Sequence, residues 1–393
     1  MRLAHLADLH LGFRQYYRLT PEGINQREAD VAHAFRAAVD GLLAERPDAI
    51  VIAGDLFHAV RPSNRSIVFA YQELQRLRAA LPDTPVVAIA GNHDTPRSSD
   101  VGTILRLYEE LGIHVAADEP RRLVFPELGL SVLAVPHAAL EGEPIVVRPE
   151  GSEPFQVLVI HGEVGGLLPI DQAAMEYGGA LLDPEPLRRE PWSYVALGHF
   201  HVQHAVSPRC WYSGSLEYVG PNIWGELADE SLRKVPGKGW LLADLAAGTV
   251  SRRSVPASRT IYEAPTLNAF GLSPAEVDRL LAERLAAVPG GLGGSIVRVV
   301  IENIPRPVMR ELDHAAIRDA KAEALHLHLD FRRPESIRTV GVGAPGRRQT
   351  LPELVSEFLG RRPLPERLSR ERFVSLGLEL LAEPDARTME ETA

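Results

Sequence analysis

Five short stretches of this 393-residue chain place carboxylates, imidazoles and an amide directly after apolar runs. They are Asp8-Leu9-His10, Gly54-Asp55 with His58, Gly91-Asn92-His93-Asp94, His161-Gly162 and Gly198-His199-Phe200-His201. Asp, Asn and His without thiolates suit hard and borderline divalent metals such as manganese, iron or zinc. Asp8 and His10 stand two apart at a strand end, so both can turn toward one ion, and His199 and His201 repeat that spacing. Asp55 has two oxygens and can bridge two ions, Asn92 adds a neutral oxygen and His161 another imidazole. Two ions about 3.5–4 Å apart can activate water and clamp a phosphoryl oxygen. His93, beside Asn92, can then protonate a leaving oxygen. The chemistry is phosphoester hydrolysis.

Each cluster alone also reads as a turn or as polar decoration of a strand. His326-Leu327-His328 has the same spacing but no neighbouring Gly or carboxylate, and it is set aside. Of 14 histidines, six fall in the five clusters. The other eight (His5, His33, His114, His137, His204, His314, His326, His328) are assigned to core or surface. All five clusters in one chain make a site.

The elements that must position them follow from periodicity. Arg2 to Ala7, Ala49 to Ala53 and Pro85 to Ala90 are short apolar runs and predict buried strands. Helices are expected over about Gln26–Glu45, Asn64–Leu81 and Val101–Leu111, the last ending before the cap residue Gly112. Strand and helix therefore alternate, which implies βαβ units and a parallel sheet whose carboxyl ends gather ligands. From about residue 122 the pattern turns strand-rich (Arg122 to Phe125, Leu130 to Val135, Phe155 to Ile160, Tyr194 to Leu197, Trp211 to Ser213, Gly239 to Asp244), giving one sheet or two packed sheets with a shared rim. A small α/β unit follows: a strand over Thr260 to Ala264, a helix opened by the capping box Ser273-Pro274-Ala275-Glu276, a strand over Ser295 to Glu302, a helix over Met309 to Glu323 and a strand over Leu325 to Phe331. A Gly/Pro/Arg-rich linker spans 333–349, and helices open at Thr350-Leu351-Pro352-Glu353 and at Ser369. The Phe373, Leu376, Leu380, Leu381 stripe on the last helix can fold back or dock a partner.

Composition bounds the rest. Hydrophobic residues make up 45% and charged residues 24%, as in an ordinary globular protein. One cysteine, Cys210, excludes a disulfide framework and a thiolate zinc site. No apolar run reaches the roughly 20 residues of a membrane helix, and the N-terminus is too short in apolar residues for a signal peptide, so a cytoplasmic location is expected. The net charge of −10 argues against nucleic-acid binding through bulk positive charge. The arginine pairs (121-122, 252-253, 332-333, 347-348, 361-362) are mostly read as solvated surface.

The order D-x-H, G-D, G-N-H-D, H, G-H-x-H resembles that of the calcineurin-like metallophosphoesterase superfamily. Asp8-Leu9-His10-Leu11-Gly12, Gly54-Asp55-Leu56-Phe57-His58, Ala196-Leu197-Gly198-His199-Phe200-His201 and Tyr212-Ser213-Gly214-Ser215-Leu216-Glu217 narrow this to the SbcD-type nucleases of DNA double-strand-break repair, relatives of the meiotic-recombination nucleases. The resemblance implies a metallophosphoesterase two-sheet sandwich flanked by helices over 1–258, a small α/β capping domain that helps hold DNA over 259–332, the linker 333–349 and partner-docking C-terminal helices over 350–393. It implies two manganese ions, one on Asp8, His10, Asp55 and His201, the other on Asp55, Asn92, His161 and His199. His93 becomes the catalytic histidine and His58 the one that positions a DNA end for exonuclease action. Double-strand exonuclease and single-strand endonuclease activities, a homodimer through the helices near 26–45 and 64–81, and an SbcC-type coiled-coil ATPase partner are implied with them.

Rival readings are a stand-alone phosphodiesterase or phosphatase of the same superfamily acting on small molecules, and a metal-free scaffold. Protein phosphatases of this class carry G-D-x-V-D-R-G where this chain has Gly54-Asp55-Leu56-Phe57-His58-Ala59-Val60. Every expected ligand position is filled, which opposes the scaffold.

Overall fold

The computed structural model describes residues 1–96, 102–141, 147–165, 179–189, 191–334, 351–362, 364 and 369–379. Met1–Arg332 forms one compact unit and Arg333–Ala393 another.

Two six-stranded sheets form the centre of the first unit. In the first, Arg2–Leu6, Ala49–Ala53, Val86–Ile89 and His114–Ala116 run parallel, Gly239–Asp244 pairs antiparallel with Arg2–Leu6, and Thr249–Ser254 pairs antiparallel with Gly239–Asp244 at the edge. In the second, Leu130–Val135, Phe155–His161, Tyr194–Gly198 and Cys210–Tyr212 run parallel, with Arg121–Phe125 and His204–Ser207 antiparallel at the edges. The central parallel strands, such as Ala49–Ala53, Val86–Ile89, Leu130–Val135 and Tyr194–Gly198, are buried on both faces, which is why they read as continuous apolar runs rather than alternating ones. Leu3, Val51, Val87 and Ile89 of the first sheet pack on Val132, Val157, Val159 and Ala196 of the second. Side chains of alternate parity (Ala4, Leu6, Ile50, Ile52) face the other way, against Val31, Phe35, Leu42, Leu74 and Leu77 of the two helices. Burying each of these larger side chains contributes about 1.5–3 kcal/mol.

Gln26–Glu45 and Asn64–Ala80 are helices as expected, capped by Asn25, which accepts from the Arg27 and Glu28 amides, and by Ser63, which accepts from the Ser66 amide. Arg27 is fully buried. It donates to Asp30 (2.9 Å), Glu217 (3.3 Å) and the Tyr218 carbonyl (2.8 Å). Arg259 reaches the same Asp30 at 3.1 Å, so this network ties the first helix to the start of the small unit.

That unit holds a parallel sheet of Ile261–Asn268, Ile296–Glu302 and His326–Phe331, with a core of its own around Val277, Leu281, Val297 and Val299. The capping box at Ser273 and Glu276 is present. The helix expected over Met309–Glu323 is instead two, Arg306–Arg310 and His314–Glu323. Between them Leu312 turns inward, and the Asp313 carboxylate accepts from the Ala315 and Ala316 amides and restarts the helix. The helix expected over about Val101–Leu111 is described from 102 and is a 3-10 helix, Ile104–Leu111, with Gly112 left-handed after it. A helix at Ile223–Arg233 was not expected. In the second unit Leu351–Arg361 and residues 370–379 are helical, with Phe358 and Leu376 exposed. Leu380 and Leu381, and the linker from 335, lie outside the described residues.

Candidate active site

The carboxyl ends of the parallel strands in both sheets converge. Asp8-Leu9-His10, Asp55, Asn92-His93, His161 and His199-Phe200-His201 follow Arg2–Leu6, Ala49–Ala53, Val86–Ile89, Phe155–His161 and Tyr194–Gly198 respectively. Backbone bonds lock the first two loops together: the Asp8, His10 and Leu11 amides donate to the Gly54, Asp55 and Leu56 carbonyls at 3.0–3.1 Å. Asp8, His10, Asp55 and His199 all have left-handed backbones, with φ of 54°, 46°, 51° and 103°. Non-glycine residues adopt this region at a cost, and such strain gathers at functional sites. Gly91 is required for a different reason. A Cβ there would collide with the Asp55 carboxylate and amide.

Carboxylates span the gaps between motifs. Asp8 Oδ1 accepts the His199 amide (2.9 Å) and Asp55 Oδ1 accepts the His93 amide (2.9 Å). Their second oxygens, Asp8 Oδ2 and Asp55 Oδ2, are buried and meet no amide or hydroxyl donor among the described residues, and Asp55 Oδ2 faces imidazole nitrogens at 3.3 Å and 3.8 Å. The ring of His161 donates from Nδ1 to the Ala53 carbonyl (2.8 Å), which turns its other nitrogen, Nε2, toward Asn92 Oδ1 (2.9 Å) and Asp55 Oδ2 (3.3 Å). An imidazole lone pair and two oxygens thus point at one place. Only a cation or a proton can reconcile them. His10 Nε2 lies 3.1 Å from His201 Nε2 and 3.8 Å from Asp55 Oδ2, a second such convergence. His199 Nδ1 lies 3.3 Å from Asn92 Oδ1.

The electrostatics say the same. Burial pushes the Asp8 carboxyl up to about 6. Burial also disfavours a charged Asp55, but the imidazoles of His161, His10 and His93 outweigh it and hold that carboxyl well below the usual range. Burial opposes a charge on His161, yet Asp55 beside it overrides this and raises the ring to about 9. A proton there occupies the place that a metal cation fits. Among the described residues three groups could hold an ion: Asp8, His10 and His201; Asp8, Asp55 and His161; and His10, His58 and His93. The donor set therefore fits divalent metal.

Burial grades across the site. Asp8, His10, Asp55 and His161 are sealed, whereas His58, Asn92, His93 and His199 are half-buried, so a substrate reaches the site from their side. His93 stacks on His58 with centroids 5.2 Å apart, and its Nδ1 donates to the His58 carbonyl at 2.7 Å. Phe13 packs edge-on against His58 at 5.0 Å.

Asp94 is also sealed, and it accepts from the amides of Leu56 (3.0 Å), Phe57 (3.0 Å) and Gly91 (3.2 Å). Burial, then the charge of Asp55, pushes it up to about 7. It was legible as part of the third motif, but its work of joining two loops was not. Glu226 and Lys238 were missed altogether. The first is on the unexpected Ile223–Arg233 helix, and the buried ion pair between them looks in sequence like surface charge.

Residues 1–203 match the family described as calcineurin-like phosphoesterase. The chain belongs to that family. Relatives are the DNA double-strand break repair proteins Mre11 of Saccharolobus solfataricus (28% identical, covering 63% of this chain and 61% of that one) and of Sulfurisphaera tokodaii (30%, covering 62% and 60%). The Mre11 of Archaeoglobus fulgidus is 32% identical over 51% of this chain and 46% of its own. The phosphoesterase thus spans about three-fifths of the length of the first two relatives. No helix among the described residues is long and apolar enough to cross a membrane. Several of the paired arginines are engaged with acids, Arg121 with Glu109, Arg122 with Glu150, Arg253 with Glu45 and Arg332 with Asp330.

Proposed function

We propose that this phosphoesterase is a manganese-dependent DNA nuclease, with double-strand exonuclease and single-strand endonuclease activity, within a double-strand-break repair complex. The observation that carries the chemistry is the convergence of unmet oxygens and imidazole lone pairs on a sealed floor beneath a half-exposed His93. Asp8, His10, Asp55 and His201 would hold one divalent ion, and Asp55, Asn92, His161 and His199 the other. Ions held there supply Lewis-acid polarisation of a phosphoryl oxygen and lower the pKa of water. His93 handles the proton. Its Nδ1 is committed to the His58 carbonyl, so transfer to the leaving oxygen falls to Nε2. His58, stacked on His93 and braced by Phe13, positions a DNA end over that nitrogen.

The Mre11 relatives and the SbcD-type motifs support the DNA substrate. So does the path of the loop after His10. Tyr16 stacks on His326 of the small unit (4.0 Å), and Arg18 donates to the Ala324 carbonyl (2.8 Å), so the site is linked to residues 259–332, which we assign as a DNA-holding capping domain on the nuclease domain 1–258. The segment 350–393, beyond the linker 333–349, would dock an SbcC-type coiled-coil ATPase, and Gln26–Glu45 with Asn64–Ala80 would form a homodimer contact in the cytoplasm.

The test incubates the chain with Mn2+ and a linear duplex labelled at either end, beside a small phosphomonoester and phosphodiester. His93→Ala and a chelator serve as controls. Stepwise loss from duplex ends, absent in both controls, is expected. Cleavage of the small esters with intact DNA would overturn the nuclease reading, and full activity in His93→Ala would overturn its role.

A further inference from the structure

His201 turns Nε2 toward His10, so its Nδ1 faces away, toward the Ile223–Arg233 helix. Glu226 of that helix meets it there, with Oε1 3.6 Å from Nδ1. This is ion-pair distance, a few tenths of an ångström beyond a hydrogen bond. The same oxygen accepts the Gly220 amide (2.7 Å), and a Cβ at Gly220 would collide with it. The other oxygen accepts from Lys238 Nζ (2.5 Å). Lys238 also donates to the His201 carbonyl (3.0 Å), pairs with Glu230 (3.2 Å) and lies over the Tyr218 ring (4.4 Å). Glu226 and Lys238 are both buried, so removing either would leave the other's charge less well compensated. One ion pair thus grips both the ring and the main chain of His201.

We propose that Glu226, held by Lys238, is a positioning residue for His201: it accepts the Nδ1–H and so keeps Nε2 in the lone-pair form that a cation requires. Metal-ligating histidines commonly donate their outer nitrogen to such a carboxylate, which fixes the tautomer and raises ligand basicity. The inference rests on the metal-site reading above. The same helix carries Ile223 into a cluster with Ile296 and Leu325 of the small unit, so the element that sets His201 is seated on the capping sheet.

The experiment titrates Mn2+ into the full chain and its variants Glu226→Gln and Glu230→Gln, following affinity and stoichiometry by calorimetry. Glu230 shares Lys238 and accepts from Tyr218 (2.7 Å) but does not face His201, so it controls for simple loosening of the helix. The expected result is two ions in the unaltered chain, one site weakened about 10–100-fold in Glu226→Gln and both retained in Glu230→Gln. Unchanged affinities in Glu226→Gln, or an equal loss in Glu230→Gln, would overturn the proposal. An unaltered chain that binds no Mn2+ would instead sink the metal-site reading itself. Should Glu226→Gln fail to fold, 15N spectra of histidine in the metal-free unaltered chain, where no ion dictates the tautomer, assigned with His201→Asn, decide the matter. A protonated Nδ1 on His201 supports the proposal and a protonated Nε2 refutes it.

Discussion

His5 lies on the first strand, three residues before Asp8, and its Nδ1 meets the Tyr194 hydroxyl (3.0 Å) at the start of the strand that leads to His199. The pair joins the two sheets directly beneath the site. His5 is fully buried, and burial lowers its pKa from 6.5 to about 3. The folded chain therefore keeps the ring neutral, while the unfolded chain takes up a proton below about 6.5. Stability from this group is complete above that pH and is lost as the pH falls toward 3. At 1.36 kcal/mol per pH unit, going from pH 7 to 5 should cost about 2 kcal/mol through His5 alone. Carboxylates in the site titrate over the same range, so the readout is a difference. Urea unfolding of the metal-free chain at both pH values, for the unaltered protein and His5→Gln, should show a pH 7-to-5 loss about 2 kcal/mol larger in the former. Parallel pH dependences in the two proteins would refute the neutral buried ring, whatever their absolute stabilities.

Asp94→Ala removes the acceptor shared by the Leu56, Phe57 and Gly91 amides and unties the loops that carry Asp55 and Asn92. Mn2+ affinity measured by titration should drop about 10–100-fold while far-UV circular dichroism stays native. Arg27→Met leaves Glu217 and Asp30 short of a cation in a buried network, so chemical unfolding should report a loss of about 3–5 kcal/mol. A loss below about 1 kcal/mol would mean that Arg259 and water satisfy both acids.

The parts of this fold legible in the sequence are those where one physical signal dominates. The strands leading to Asp8, Asp55 and Gly91 are apolar on both faces, and the helices Gln26–Glu45 and Asn64–Ala80 carry plain stripes with Asn and Ser caps. The five clusters were legible because a parallel sheet brings strand ends together however far apart they lie in the chain. The Ile223–Arg233 helix was hidden because it buries Glu226, Asp229 and Glu230 beside the short apolar set Ile223, Trp224 and Leu227, so its packed residues mix acids with apolar side chains. The break at Leu312 was hidden because the residues flanking it are good helix formers, and the competing cap at Asp313 acts through a local side-chain bond. Asp94 shows the same limit at the site: its type and place were plain, but three amide partners from two loops exist only in the fold.

The left-handed backbones at Asp8, His10, Asp55 and His199 have a consequence for the history of such a chain. Glycine at any of them would relieve about 1–2 kcal/mol of conformational cost, and at Asp8 or Asp55 it would also remove a sealed carboxylate. At Asp8 and Asp55 that relief is opposed by the His199 and His93 amides, which would lose their acceptors, so durability alone favours erasure most at the half-buried His199. A library enriched by heat resistance would discard His199 before the sealed positions. What keeps them is use.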